Sequence, residues 1–302
     1  MSHLVTPEHP FELRSHFKAP GSPQAEAKVF IAHLPEEIGP SDWLAIFLDS
    51  QKEQTLHQRL TPHEGGAVPD VLTLGGAPGE ERISRWIVLK DHAVIGGAHF
   101  FVLQASTAAQ DYTAALADVL LLAVSNFNLL HSSGWAYAEQ LQTLVWVMPA
   151  VLRMTFPFSW KQQENPASNE HFYQIKLLKS RNDRPVGRLS LAMVAGQTEA
   201  TMRRLEQEDR RALAAAGVVF EPAELGVGPP VGPLGQILTA TMRQTNAAPN
   251  EPAQERLVVI GQVSDSIWIY ADRVSFMRDS EPESWAVSKR AFEMLLERLE
   301  IY

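Results

Sequence analysis

Hydrophobic residues along this chain alternate between two spacings. Short runs rich in β-branched and aromatic residues, bounded by Gly or Asp, predict strands at 29–32, 85–89 and 99–103. In the second half the same signal falls at 172–178, 189–194, 257–260 and 267–270. Apolar residues at intervals of three and four predict helices between these runs. In the first, Ser41 is placed as N-cap, Trp43, Leu44, Phe47 and Leu48 form the stripe, and Pro62 lies beyond the end. Its counterpart starts at Thr198, runs through Met202, Leu205, Leu213 and Ala216, and stops at Gly217. A third helix is expected over 112–130 and a fourth over 282–299. In the fourth, Ser280 and Glu283 make a capping-box pattern with Pro282 in the first turn. Residues 141–158 are apolar and strand-like, broken by Pro149 and Pro157.

Both halves therefore read as strands, helix, strands, helix, an α+β pattern with mostly antiparallel pairing. Shifting the third helix by 172 positions sets Val119 on Ala291, Leu120 on Phe292, Ala123 on Leu295, Val124 on Leu296 and Phe127 on Leu299. The preceding strands align with a further gap of about three residues, and an internal repeat is expected. The junction is placed at His131-Ser132-Ser133-Gly134, giving domains 1–133 and 134–302.

Composition narrows the function classes. Formal net charge is −9, and residues 1–133 hold 8 Lys and Arg against 15 Asp and Glu. Neither half offers the basic surface that phosphate neutralisation requires, so nucleic acid is not expected as a partner. The chain has no cysteine, which excludes disulfides, thiolate catalysis and cysteine-ligated metals. Met1-Ser2-His3-Leu4 does not open a secretory signal, and no apolar run is long enough to span a bilayer. A cytoplasmic location without stable membrane insertion is the expectation.

Candidate chemistry is sparse. Eight of ten histidines precede residue 100, yet His57, His63-Glu64, His92 and His99 show no ligand spacing and read as surface or turn positions. In the glycine run from Gly226 to Gly232, Pro229 and Pro230 remove two of the backbone donors a phosphate loop needs, so a structural loop is the reading over 220–235. Glu36-Glu37 and Glu80-Glu81 lie in apparent loops as solvated pairs. No catalytic, metal or cofactor residue is assigned. The aromatics are more informative. On 267–270, Trp268 and Tyr270 share one face, and Trp86, Phe100 and Tyr173 lie on comparable strands. Either helices cover both sheet faces and these residues are core, or one face is open and Trp86, Tyr173, Trp268 and Tyr270 line a protein-binding surface.

The stretch Met154-Thr155-Phe156-Pro157-Phe158-Ser159-Trp160 looks like the opening strand of PsbP-like domains, and the closing helix ending in Leu299-Glu300-Ile301 is similar to that family's last helix. The likeness covers most of 150–302 and, more weakly, 9–130, where no counterpart of 156–160 precedes Phe11 and the first strand is degenerate. By element order the chain resembles the DcrB-like branch, which includes Eag-type adaptors of type VI secretion. The resemblance implies two PsbP-like domains in tandem, each an antiparallel sheet flanked by helices, without catalytic machinery or cofactor. It further implies a chaperone or adaptor that binds another protein, the hydrophobic N-terminal helix of a secreted effector. An immunity-type inhibitor or regulatory binding module is the alternative.

Overall fold

The structure is a computed structural model that describes residues 11–21, 25–63, 66–147, 150–163, 167–169 and 171–302. Met1 to Leu4, Glu64 and Pro149 lie outside these residues. The chain divides into two compact units, Met1–Glu139 and Gln140–Tyr302.

The first unit runs β1 (Glu12–Lys18), β2 (Ala25–Leu34), α1 (Pro40–Ser50), β3 (Gln54–His63), β4 (Gly66–Gly75), β5 (Arg82–His92), β6 (Ala98–Ala108) and α2 (Ala114–Ser125). Its six strands form one antiparallel sheet in the order β1-β2-β6-β5-β4-β3. Side chains alternate along each strand, so successive residues of β5 and β6 serve opposite helices. Trp86 and Phe100 face α1, with ring centroids 5.9 Å from Phe47 and 5.1 Å from Trp43 respectively. Ile87, Leu89 and Leu103 pack with Leu120 and Val124 of α2. Helix α1 begins one residue before Ser41, with Gly39 as its cap and Pro40 in the first turn. Proline's fixed φ suits that position and removes an N–H the helix could not use. Helix α2 ends at Ser125, short of the 130 expected, because Thr113 caps its start and Asn126 closes it.

The second unit opens with β7 (Leu141–Trp146), β8 (Leu152–Pro157), β9 (Lys161–Gln162) and β10 (Ala167–Asn169). It continues with β11 (Phe172–Arg181), β12 (Arg184–Ala195), α3 (Glu199–Ala215), β13 (Gly226–Gly228) and β14 (Ile237–Arg243). It closes with β15 (Gln254–Ser264), β16 (Ile267–Phe276), α4 (Pro282–Glu297) and β17 (Glu300–Ile301). The main sheet runs β10-β11-β12-β16-β15-β14-β13, with β9 on β11, while β17-β8-β7 form a small separate sheet. Alternation again divides the core. Val259 packs with Phe292 and Leu295 of α4, whereas Val258 and Ile260 pack with Met202 and Leu213 of α3.

The strand path β11-β12-β16-β15-β14-β13 repeats the path β1-β2-β6-β5-β4-β3, with a helix after the second strand and another after the last in both units. The offset that aligns the closing helices also carries Arg82–His92 onto Gln254–Ser264. Two local expectations are corrected. Glu281, not Ser280, caps α4, and Ser284 Oγ donates to its carboxylate at 3.0 Å, so the capping box does not form. The glycine run contributes an edge strand, β13, and then turns at Gly232, whose φ is +54°. A Cβ there would lie 2.1 Å from the Leu296 carbonyl oxygen, so only glycine seats this loop against the end of α4. No helix among the described residues is long and apolar enough to cross a membrane.

Candidate functional site

Helix α2 departs from the pattern of the other helices. Its sequence, AALADVLLLAVS, carries a single charge, so apolar side chains point in every direction around its axis. The inward arc, Leu120 and Val124, is buried on the sheet. The outward arc is not covered: Val119 is 51% exposed and Leu122 60%, on the same stripe as exposed Ala115. A helix apolar all round is normally enclosed. Here half of it faces outward.

A second apolar feature lies at the β5–β6 hairpin tip. Val94 and Ile95 are exposed at the turn, and Gly96 and Gly97 behind them both have positive φ. The tip is braced rather than loose. Ala93 N donates to Gly97 O at 3.0 Å, and His33 Nε2 donates to Gly96 O at 2.7 Å. The chain returning from α2 is fastened alongside. His92 N donates to Trp135 O, and its Nδ1 donates to Tyr137 O, both at 2.9 Å. Asp91 accepts from Ser133 N at 2.9 Å and from Ser133 Oγ at 2.5 Å. Burial works to raise the Asp91 pKa, but these bonds together outweigh it and hold the carboxyl below its ordinary range. Half-exposed Trp135 packs its ring edge-on against Tyr137.

Asp91, His99 and His33 are direct cross-strand neighbours on β5, β6 and β2. A serine, histidines and an aspartate close together invite a hydrolytic reading, and the geometry does not support it. Ser133 Oγ donates to the carboxylate, not to an imidazole, so the serine–histidine contact of a triad is missing. Among the described residues no three His, Asp or Glu side chains converge as a metal site.

The four aromatics singled out from the sequence are not together. Trp86 is buried under α1, with Nε1 donating to Thr73 Oγ1 at 3.0 Å. Tyr173 is buried on the other unit's α4 face, stacked on Trp146 at 4.5 Å. Tyr270 is buried under α3, and Trp268 is partly buried at the margin of the same cluster. Helices cover both faces of each sheet at these positions, so Trp86, Tyr173 and Tyr270 are core and the open aromatic face expected from them is absent. An open apolar surface belongs instead to α2, which the sequence reading placed as a repeat element. Its lack of charge was the available signal.

No protein-family model matches the chain, and no curated protein matches it. Among solved structures that are similar at a low level are three of immunity proteins or their complexes. Apo TplEi, an immunity protein of the T6SS from Pseudomonas aeruginosa, is 8% identical with a TM-score of 0.28, over 98% of this chain and 93% of that one. TplEi complexed with "L" peptide is 10% identical with a TM-score of 0.25, over 90% and 92%. The Tle4–Tli4 complex is 10% identical with a TM-score of 0.26, over 90% and 92%. Scores this low lie below those of a shared fold.

The densest polar chemistry lies in the second unit, between α3 and its sheet. Arg256 is fully buried and donates through Nε to Asp272 at 3.0 Å, through Nη1 to Glu206 at 3.1 Å and through Nη2 to the Tyr270 hydroxyl at 2.5 Å. Burial, then the charge of Asp272, raises the pKa of neighbouring Asp209. The same two causes push Tyr270 well above its ordinary value. Arg256 thereby ties α3, through Glu206, to β15 and β16, and Arg188 of β12 adds a bond to Asp272 at 3.3 Å. A nearby cleft of about 180 Å³, lined by Leu178, Val186, Arg188, Leu213 and Val274, is smaller than a usual ligand pocket. None of its walls comes from the 220–235 loop.

Proposed function

We propose that this chain is a non-enzymatic protein-binding module, built from two PsbP-like units in tandem, that covers an apolar helical segment of a secreted effector. The observation that carries the binding reading is the outward face of α2, an apolar helical surface with nothing packed on it among the described residues. Covering such a surface recovers about 25 cal/mol per Å² of apolar area, and the partner's own segment gains by the same mechanism. The matching strand paths of the two units support the tandem reading. The effector assignment follows from the resemblance to Eag-type adaptors. An immunity-type inhibitor would use the same surface against a toxin, and the partner's sequence decides between the two.

The test is co-purification from the native host, comparing wild type with Val119→Lys/Leu122→Lys. Both side chains are exposed, so the melting temperature is expected to hold while the partner is lost. Gln207→Lys, on the exposed face of α3, is expected to retain it. A folded α2 variant that keeps its partner as tightly as wild type would overturn the reading.

A further inference from the structure

The charges around α2 limit what can lie on it. No Lys or Arg occurs between Lys90 and Arg153, a stretch that holds the hairpin tip, β6, α2 and the Trp135 segment. Several acidic side chains elsewhere in this unit are matched by cations. Glu26 meets Lys28 and Arg82, Glu37 meets Lys90, and Asp70 meets Arg59 and Arg85. On α2, Asp118 is exposed within the apolar arc, one turn from Ala115 and Leu122, and no ion pair is formed to it among the described residues. Asp111, just before the helix, is likewise unmatched. An anion set in an apolar stripe with no cation paired to it among the described residues can take its countercharge from outside.

We propose that the exposed face of α2 receives a cationic amphipathic helix of another protein, whose apolar side chains cover Ala115, Val119 and Leu122 and whose Lys or Arg pairs with Asp118. This rests on the binding reading above and adds the partner's charge. Two other occupants fit less well. A second copy packed face to face would set Asp118 near its own image, with no cation in the patch to offset it. An anionic bilayer is approached by helices whose polar flanks carry Lys and Arg, and α2 has neither. The twelve residues of α2 extend about 18 Å, which accommodates a partner helix of about three turns with anchors at i, i+3, i+4 and i+7.

The experiment titrates the full-length protein against three fluorescent peptides of one amphipathic Leu pattern, with Lys, Gln or Glu on the polar face. The Lys peptide is expected to bind on the order of tenfold tighter than the Glu peptide at low salt, with the gap narrowing at high salt. Asp118→Asn is expected to weaken the Lys peptide about 2–5-fold and leave the Gln peptide unchanged. Val119→Gln/Leu122→Gln, with an unaltered melting curve, is expected to weaken all three. If Lys, Gln and Glu peptides bind alike and the double variant weakens them all, the charge assignment fails and the binding reading stands. If the double variant weakens none, the binding reading itself fails. A dimer in sedimentation equilibrium that Leu122→Gln dissolves, or flotation with phosphatidylserine vesicles, overturns the proposal in favour of a second copy or a membrane.

Discussion

At the scale of single residues, the hairpin tip shows how few side chains fix a surface. Gly97 has φ +80°, and a Cβ there would lie 2.5 Å from Leu34 O and 2.6 Å from His33 Nε2, so glycine is required where the tip meets β2. Beside it, the His33 and His99 rings lie 5.4 Å apart, and His99 Nδ1 is buried without a partner. Burial, then the charge of His33, lowers the His99 pKa below its ordinary value, with Asp91 opposing. A lowered pKa in the folded state means the unfolded chain binds the extra proton first. The stability this site contributes is therefore complete above about pH 6.5 and is lost as pH falls below that value. Melting curves between pH 7.5 and 5.5 are expected to fall less steeply for His99→Gln than for wild type. Identical slopes would show that His99 titrates normally in the fold. None of this was legible in the sequence, where His99 read as a turn position, because its pairing depends on which residues β2 and β5 set opposite it.

At the scale of elements, legibility followed how one-sided each element is. Strands β5, β6, β15 and β16 read correctly because their residues are largely enclosed and apolar. Strand β3 was missed because it is an exposed edge with polar residues along both faces, leaving no alternation to detect. Pro69 obscured β4. In the structure it pairs with Leu60 of β3, and pairing with β5 begins only at Asp70, so its missing N–H costs no ladder bond on that side. Helix α3 makes the opposite case. It is rich in Glu and Arg and buries only Met202 and Leu213 among its apolar side chains, so its attachment leans on Arg256. Arg256→Met removes the cation and leaves Asp272 and Glu206 enclosed without it. The expected cost is about 3–5 kcal/mol in urea unfolding of the chain, with amide exchange rising first in α3. A loss below about 1 kcal/mol would mean that the network does not hold the helix.

At the scale of the whole molecule, the sequence disclosed the α+β pattern of strands and helices, and it pointed to aromatic side chains of which Trp86, Tyr173 and Tyr270 are enclosed. Aromatic residues on strands drew attention to the sheets, yet in both units a helix lies over each sheet face. Which faces are covered is a property of packing that a single strand cannot report. An exposed apolar face lies instead on the helix that carries the least charge, in the unit where Lys and Arg are absent from Asp91 onward. That account is tested most directly by a photo-crosslinking amino acid at position 122, introduced in the native host, with position 207 of α3 as control. The expected result is one discrete adduct at 122, absent at 207, whose partner contributes an apolar helix flanked by Lys or Arg. The same background at both positions would contradict it.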